Sequence, residues 1–395
     1  MLNGPFSPWP SFTDEEANAV RDVLLSNKVN YWTGQHCREF ECEFAGFAGS
    51  DYAIAVANGT VALDLALKGL GIGEGDEVVV TPRTFLASVS SIVTAGAVPV
   101  FADVDPDSQN ITPETVRAVL SPRTRAIVCV HLAGWPCDMS GFMALAEEKG
   151  LYVIEDCAQA HGALFEGHSV GSIGHVGCWS FCQDKIMTTG GEGGMVTTND
   201  RKLWSKMWSY KDHGKSWEAV YEREHPPGFR WLHESFGTNW RMTEMQAVIG
   251  RIQLKRMAEW HAKRLLNAER IWECARSLTG LRVPEVPREI EHGAYKCYVF
   301  VEPERLADGW NRDRILNEIV ASGVPCFSGS CSEVYLEKAF DNTGYRPTDP
   351  LPVAHELGTS SLMFLVHPTL TDAEIEKTCS VLQSVMVRAA GKDTL

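Results

Sequence analysis

The sequence lacks any run of about 18 consecutive apolar residues, which excludes a membrane-spanning helix. Its opening, Met1-Leu-Asn-Gly-Pro-Phe-Ser-Pro-Trp-Pro10, has neither a basic segment nor an apolar core, so no secretory signal is expected. Twelve cysteines are present, yet none forms a CxxC pair or stands at Cys/His metal spacing; Cys37/Cys42, Cys178/Cys182 and Cys326/Cys331 come nearest. Disulfide-scaffold and zinc readings therefore fail, no metal is expected, and free thiols in a reducing cytoplasm fit better. Basic residues are in deficit, 36 against 51 acidic, for a formal net charge of −15. That argues against nucleic acid or an anionic membrane as partner while leaving room for a local cationic pocket. No internal repeat or low-complexity segment occurs, and 395 residues of ordinary globular composition, 44% hydrophobic and 22% charged, suffice for two domains.

What is present is organised around Gly177-Cys-Trp-Ser-Phe-Cys-Gln-Asp-Lys185-Ile-Met-Thr-Thr-Gly-Gly-Glu-Gly-Gly194. A single lysine precedes four glycines within five residues. Glycines in such number cost backbone entropy and mark a tight turn or a close approach of the backbone to a ligand. A lone lysine is ordinarily a solvated charge; in this setting Lys185 is also a candidate covalent amine catalyst. Just upstream, Leu151-Tyr-Val-Ile154 reads as a buried parallel strand whose carboxyl end carries Asp156, where open α/β sheets place their ligands. A buried acid there needs a cationic partner.

Three further stretches have a plain and a functional reading. Asn58-Gly59-Thr60 opens the helical run Val61 to Leu70; the plain reading is a helix cap, the functional one an anion site at the positive end of a helix. In Thr81-Pro-Arg-Thr-Phe85, the aromatic reads first as core and Arg83 as either an exposed charge or a contact for substrate phosphate. In Gly237-Thr-Asn239-Trp-Arg241-Met-Thr243-Glu-Met-Gln246, Thr243 and Gln246 make a capping box and Arg241 a solvated charge. His131 and His161 read as hydrogen-bonded core histidines. Gly71-Ile-Gly-Glu-Gly75 follows a helix rather than a strand, so a dinucleotide loop fails its context test.

Taken together, these motifs and their spacing resemble the DegT, DnrJ, EryC1 and StrS sugar aminotransferases, pyridoxal-phosphate enzymes of fold type I, over nearly the full chain. The resemblance implies that Asp156 pairs with the cofactor's pyridine nitrogen, that Gln159 lies beside its ring and that Phe85 stacks on it. It implies that Ser180, Gly59 and Thr60 hold the phosphate and that Lys185 carries the cofactor covalently. It further implies that Asn239 reaches the phosphate of a neighbouring subunit's cofactor, with Arg241 lining the site. Asn58 departs from the family's Ser, Lys296 stands where many relatives have His, and Cys182-Gln-Asp184 replaces a common His-Pro-Thr.

Strands at Val98 to Ala102, Arg125 to His131 and Leu151 to Glu155 alternate with helical runs near Thr112 to Leu120 and Ser140 to Lys149, a rhythm that gives a mostly parallel sheet between helices. One long helix is expected from Thr243 through Met257 to Trp272. A long loop, Lys211 to Phe236, is expected to be functional or ordered by a partner. The division is residues 1–250 as a large cofactor-binding domain and 251–395 as a small α+β domain. The expected protein is a cytoplasmic homodimer with shared active sites that aminates a nucleotide-linked keto-sugar, with glutamate as donor by resemblance. A sugar dehydratase is disfavoured because relatives with that activity replace the lysine by His. An aminotransferase for a cyclitol or other ketone, or a silent binding protein on the same fold, are the remaining alternatives.

Overall fold

The computed structural model describes residues 5–390 except 226 and 229. The first four residues of the N-terminal stretch, the last five of the chain and two positions of the Lys211–Phe236 loop thus lie outside the described residues. Nine strands precede residue 200: β1 (Tyr52–Val56), β2 (Glu77–Val80), β3 (Val98–Phe101), β4 (Thr124–Val130), β5 (Tyr152–Asp156), the short hairpin β6 (Leu164–Phe165) and β7 (His168–Ser169), β8 (Val176–Ser180) and β9 (Gly194–Thr198). Seven of them form one sheet in the order β1-β9-β8-β5-β4-β2-β3. Strands β3, β2, β4, β5 and β8 are mutually parallel, and β9 pairs antiparallel with both β8 and β1. The mostly parallel α/β sheet read from the sequence is therefore what forms, with β9 alone reversed.

Helices α1 (Asp14–Ser26), α2 (His36–Ala48), α3 (Gly59–Leu70), α4 (Ala87–Thr94), α5 (Pro113–Arg117), α6 (Met139–Lys149), α7 (Arg201–Lys211), α8 (Trp217–Tyr221) and α9 (Glu244–Leu254) accompany the sheet. Their ends follow local chemistry. Asn58 caps α3 by accepting from the Val61 N–H at 2.9 Å, and Gly71 ends it at φ 77°, a conformation that glycine adopts without a Cβ penalty. Central strands such as Glu77–Val80 are buried at every residue, as expected where helices cover both faces. The sequence reading assigns nothing to α2, although Cys37, Phe40, Phe44 and Ala48 recur at helical spacing and are all buried against the core.

The remaining elements are α10 (Met257–Arg276), β10 (Leu281–Arg282), β11 (Ile290–Glu291), β12 (Lys296–Val301), α11 (Arg312–Ala321), β13 (Cys326–Phe327), α12 (Pro352–Ser360), β14 (Ser361–Leu365) and α13 (Asp372–Ala389). A four-stranded antiparallel sheet, β10-β12-β14-β13, packs on α10, α11 and α13 around a second apolar cluster. The expected single helix from Thr243 to Trp272 is two helices. Between them the Arg256 N–H reaches back only three residues, to the Gln253 carbonyl at 2.9 Å, and the Arg256 guanidinium is held by Glu16 of α1 at 2.8 Å. No glycine or proline marks that turn, so nothing local announces it.

Candidate active site

Asp156 ends β5 at the carboxyl edge of the parallel strands, and its carboxylate is buried. It accepts from Ser88 Oγ at 2.8 Å and from the Ala158 N–H at 3.1 Å, and no cationic side chain pairs with it among the described residues. Ser88 is itself held by Thr84, Oγ to Oγ 2.9 Å. A buried carboxylate with a free acceptor position and no cation is prepared for a cationic N–H from a bound group.

The neighbouring strands carry the rest of that edge. Asp156 lies opposite Cys178 in the parallel pairing of β5 with β8, and Ser180 stands two residues further on, paired with Gly194 of β9. The first turn of α3 closes over Ser180: a Cβ on Gly59 would come within 2.6 Å of the Ser180 Cβ, so only glycine fits. The Gly59 and Thr60 N–H groups belong to the first helical turn, which has no intrahelical acceptor for them. Together with the Ser180 hydroxyl they make a cradle suited to an anion. The glycine run after Lys185 has two causes. Gly190 and Gly191 take φ of 87° and 121°, and a Cβ on Gly194 would collide with the Asn58 carbonyl.

Lys185 sits on the turn after β8, half-buried, with its N–H on the Cys182 carbonyl at 3.1 Å and its own carbonyl accepting from Trp9 Nε1 at 2.8 Å. Its ammonium lies 5.3 Å from the centre of the Tyr295 ring. The same ring has the Lys296 ammonium 4.6 Å from its centre, and the Tyr295 hydroxyl donates to Asp184 at 2.5 Å. Behind it lies Arg264, buried, whose Nη1 is 3.5 Å from the Tyr295 carbonyl, whose guanidinium lies 4.9 Å from the centre of the Trp9 ring, and whose Nε and Nη2 have no hydrogen-bond partner among the described residues. Burial would raise the Asp184 carboxyl, but the Tyr295 hydrogen bond and the charges of Lys185 and Lys296 outweigh it and hold the group below its usual range. Burial first, then Arg264 and Lys185, pull Lys296 down to about 8 against the attraction of Asp184.

A lysine on a turn, a strand-end acid without a cation and a phosphate-sized cradle at one sheet edge agree with what similarity to known proteins gives. The sequence model of the DegT/DnrJ/EryC1/StrS aminotransferase family matches residues 10–383. The chain belongs to that family. It is similar to the UDP-N-acetyl-3-dehydro-alpha-D-glucosamine 3-aminotransferase of Acidithiobacillus ferrooxidans, 33% identical over 98% of this chain and 96% of that one. It is 36% identical to the GDP-perosamine synthase of Caulobacter vibrioides, covering 93% and 95%. Its fold is similar to the crystal structure of an aminotransferase from Psychrobacter cryohalolentis, with TM-score 0.96, 66% identity and coverage of 97% and 99%.

As a pyridoxal-phosphate-dependent aminotransferase, the chain has residues that fit its cofactor: the uncompensated Asp156 suits a pyridinium N–H, the Gly59/Thr60/Ser180 cradle a phosphate, and Lys185 the aldehyde carbon. Phe85 is 72% exposed, not core as its plain reading had it, and stands next to Thr84 of the Thr84–Ser88–Asp156 chain. Gln159 directs its amide oxygen to the Ala133 N–H at 2.8 Å, fastening the turn at Leu132–Gly134.

Arg241 is held at 2.5 Å by Asp212, a buried acid that also pairs with Lys215 and accepts from Trp32, so its solvated reading is replaced by a network. Asn239 is exposed, on a segment whose Trp240 carbonyl accepts from the Ala57 N–H just before the cradle.

Arg83 is neither exposed nor open to solvent: it is fully buried, with Nε and Nη2 on the Gln109 side chain and Nη2 also on Ser361. His131 is a satisfied core histidine between Glu155 and the Cys137 N–H, whereas His161 is buried with neither ring nitrogen bonded, its pKa pushed to about 3 by burial, then by Lys185 and Arg264. The reading of His161 as hydrogen-bonded is thereby corrected. Ser88, Tyr295 and Arg264 have no counterpart in the sequence reading. A serine early in a helix carries no signal of its own, and the other two lie 110 and 79 positions from Lys185.

Proposed function

We propose that this enzyme transfers an amino group from glutamate to the carbonyl carbon of a nucleotide-linked keto-sugar, as a cytoplasmic homodimer whose sites lie in a large domain of residues 1–250 completed by residues 251–395. The buried, cation-free Asp156 within the same sheet edge as Lys185 carries the reading. It is supported by the names of the relatives, which act on UDP- and GDP-linked sugars. When bound, pyridoxal phosphate supplies the electron sink. Asp156 would hold positive charge on its ring nitrogen, Ser180, Gly59 and Thr60 would hold its phosphate, and Phe85 would lie against its ring. Lys185 Nζ would serve as the base that takes the proton from the substrate carbon bearing nitrogen and as the acid that gives it back. No helix among the described residues is long and apolar enough to cross a membrane.

Incubation with glutamate and a panel of UDP-, dTDP- and GDP-linked keto-sugars, read by mass spectrometry, should yield one amino sugar and 2-oxoglutarate. Absence of product from every sugar, while a cyclitol ketone is aminated, would overturn the substrate class. The shared site rests on exposed Asn239, and mixing tests it. Lys185→Ala and Asn239→Ala homodimers, unfolded and refolded together, should recover roughly a quarter of wild-type activity, because half the dimers are hybrid and half their sites are intact. No recovery from mixed, folded dimers would remove Asn239 from the partner's site.

A further inference from the structure

Charge is out of balance around the Tyr295 ring. Lys185 and Lys296 bring two cations to it, Arg264 lies behind at the Tyr295 carbonyl with its guanidinium over the Trp9 ring, and Asp184 is the one carboxylate among the groups that act on Lys296 and Arg264. None of the three cations forms an ion pair among the described residues, and two nitrogens of buried Arg264 have no hydrogen-bond partner at all. Buried positive charge of this kind calls for an anion. The cluster is reachable: Asp184 is exposed and Lys185 and Lys296 are half-buried, so it opens to solvent on the side of the lysines and closes at Arg264.

We infer that Lys296 is the anchor for the α-carboxylate of the amino donor, with Asp184 and Tyr295 positioning it and Arg264 supporting it from behind. This rests on the transaminase reading above, but not on which amino acid is the donor. Bond count favours this anion over a phosphate. The α-carboxylate is bonded to the same carbon from which Lys185 Nζ removes the proton. The phosphates of a nucleotide-linked sugar are separated from the carbonyl carbon by ring atoms and the glycosidic oxygen. Lys185 and Lys296 address one aromatic ring, at 5.3 and 4.6 Å from its centre, and a group attached to the carbon on which Lys185 acts would lie between them. The cofactor's own phosphate is served elsewhere, by the cradle at Gly59, Thr60 and Ser180.

Asp184 and Lys296 both engage Tyr295, the acid at its hydroxyl and the cation over its ring, and each charge stabilises the other.

The test compares two probes on the holoenzyme by titration calorimetry: α-methylglutamate, which has both carboxylates and no α-proton, and 4-aminobutyrate, which keeps only the distal one. Lys296→Met should weaken α-methylglutamate at least roughly tenfold, the scale of a lost charge-assisted hydrogen bond, and leave 4-aminobutyrate and UDP within about twofold. Lys296→Arg should recover part of the loss. Equal weakening of both amino compounds would assign Lys296 to the distal carboxylate, weakening of UDP would assign it to phosphate, and no change would make it structural; each overturns the inference. If the wild-type protein binds UDP but neither amino compound, the donor reading itself falls, and that result is distinct from an effect confined to the variant.

Discussion

Two acids stand side by side at the end of β5, and the difference between them separates structure from chemistry. Glu155 and Asp156 point to opposite faces of the strand, and both are buried. Glu155 is saturated: Oε1 accepts from the Ile173 and Gly174 N–H groups at 3.0 and 2.6 Å, and Oε2 from Gly171 N–H at 2.8 Å and His131 Nε2 at 3.0 Å. Since His131 Nδ1 accepts from the Cys137 N–H, the ring proton sits on Nε2 and points at Glu155. That knot pins the Gly171–Gly174 loop beneath the sheet. Although His131, Glu155 and Cys157 lie close enough to share a metal ion, every acceptor position of the Glu155 carboxylate is in use. Asp156 has a hydroxyl, one N–H and an open acceptor position. An acid that needs nothing more is scaffold; one left incomplete awaits a ligand.

The comparison predicts opposite phenotypes. Asp156→Asn should fold with near-normal stability and bind cofactor, yet lose roughly 10²–10⁴-fold in kcat, because a neutral amide cannot hold charge on the ring nitrogen. Lys185→Ala should lose at least as much while still retaining cofactor non-covalently, seen as colour that dialysis removes. Near-normal turnover in either variant would mean that the wrong residue bears the chemistry. Glu155→Gln should do the reverse. Turning an amide N–H₂ toward two of the four hydrogen-bond donors leaves buried groups unsatisfied at a cost of about 1–3 kcal/mol each, so urea unfolding should shift well below wild type. The activity of the folded fraction should remain within about threefold; a collapse of activity at unchanged stability would erase the distinction between the two acids.

The same contrast explains what could be read without coordinates. Asp156, Ser180 and Lys185 lie within thirty residues, on or just after strands whose apolar runs are plain, so their meeting at one sheet edge was legible from spacing and resemblance. Gly59 was singled out only through the resemblance, since the tripeptide Asn58-Gly59-Thr60 by itself reads first as a helix cap. Glu155 gave no sign of its role, since three of its four partners are backbone N–H groups of a loop. The break between α9 and α10 was hidden because Arg256 turns the chain through contacts with Glu16, some 240 positions away, rather than through a helix-breaking residue. The burial of Arg83 was hidden likewise: its main partner, Gln109, takes a φ of 64° on a distant loop to meet it.

Asp184 is a third acid and sharpens the comparison with the smallest effect. It is neither saturated like Glu155 nor left free like Asp156; it is engaged by Tyr295 and by the charges of Lys185 and Lys296. The groups facing Lys296 are Asp184 and Lys185 on the turn after β8, Tyr295 at the start of its own strand, Arg264 on α10 and His367 after β14. His367, pushed to about 3 by burial, then by Arg264 and Lys296, is neutral over the working range and adds no charge. A carboxylate ligand binds Lys296 in its protonated form, so affinity for α-methylglutamate should be level at low pH and fall as pH rises through about 8. Asp184→Asn removes the one negative charge that supports this proton, while Arg264 and Lys185 continue to oppose it. The midpoint of the fall should therefore move down by roughly one unit, with affinity at pH 6.5 nearly unchanged. Titration of the ligand's own amino group is the same in both proteins and cancels from the difference. Coincident pH profiles for wild type and Asp184→Asn would show that Asp184 does not govern Lys296, and would reduce the third acid to a tether for Tyr295.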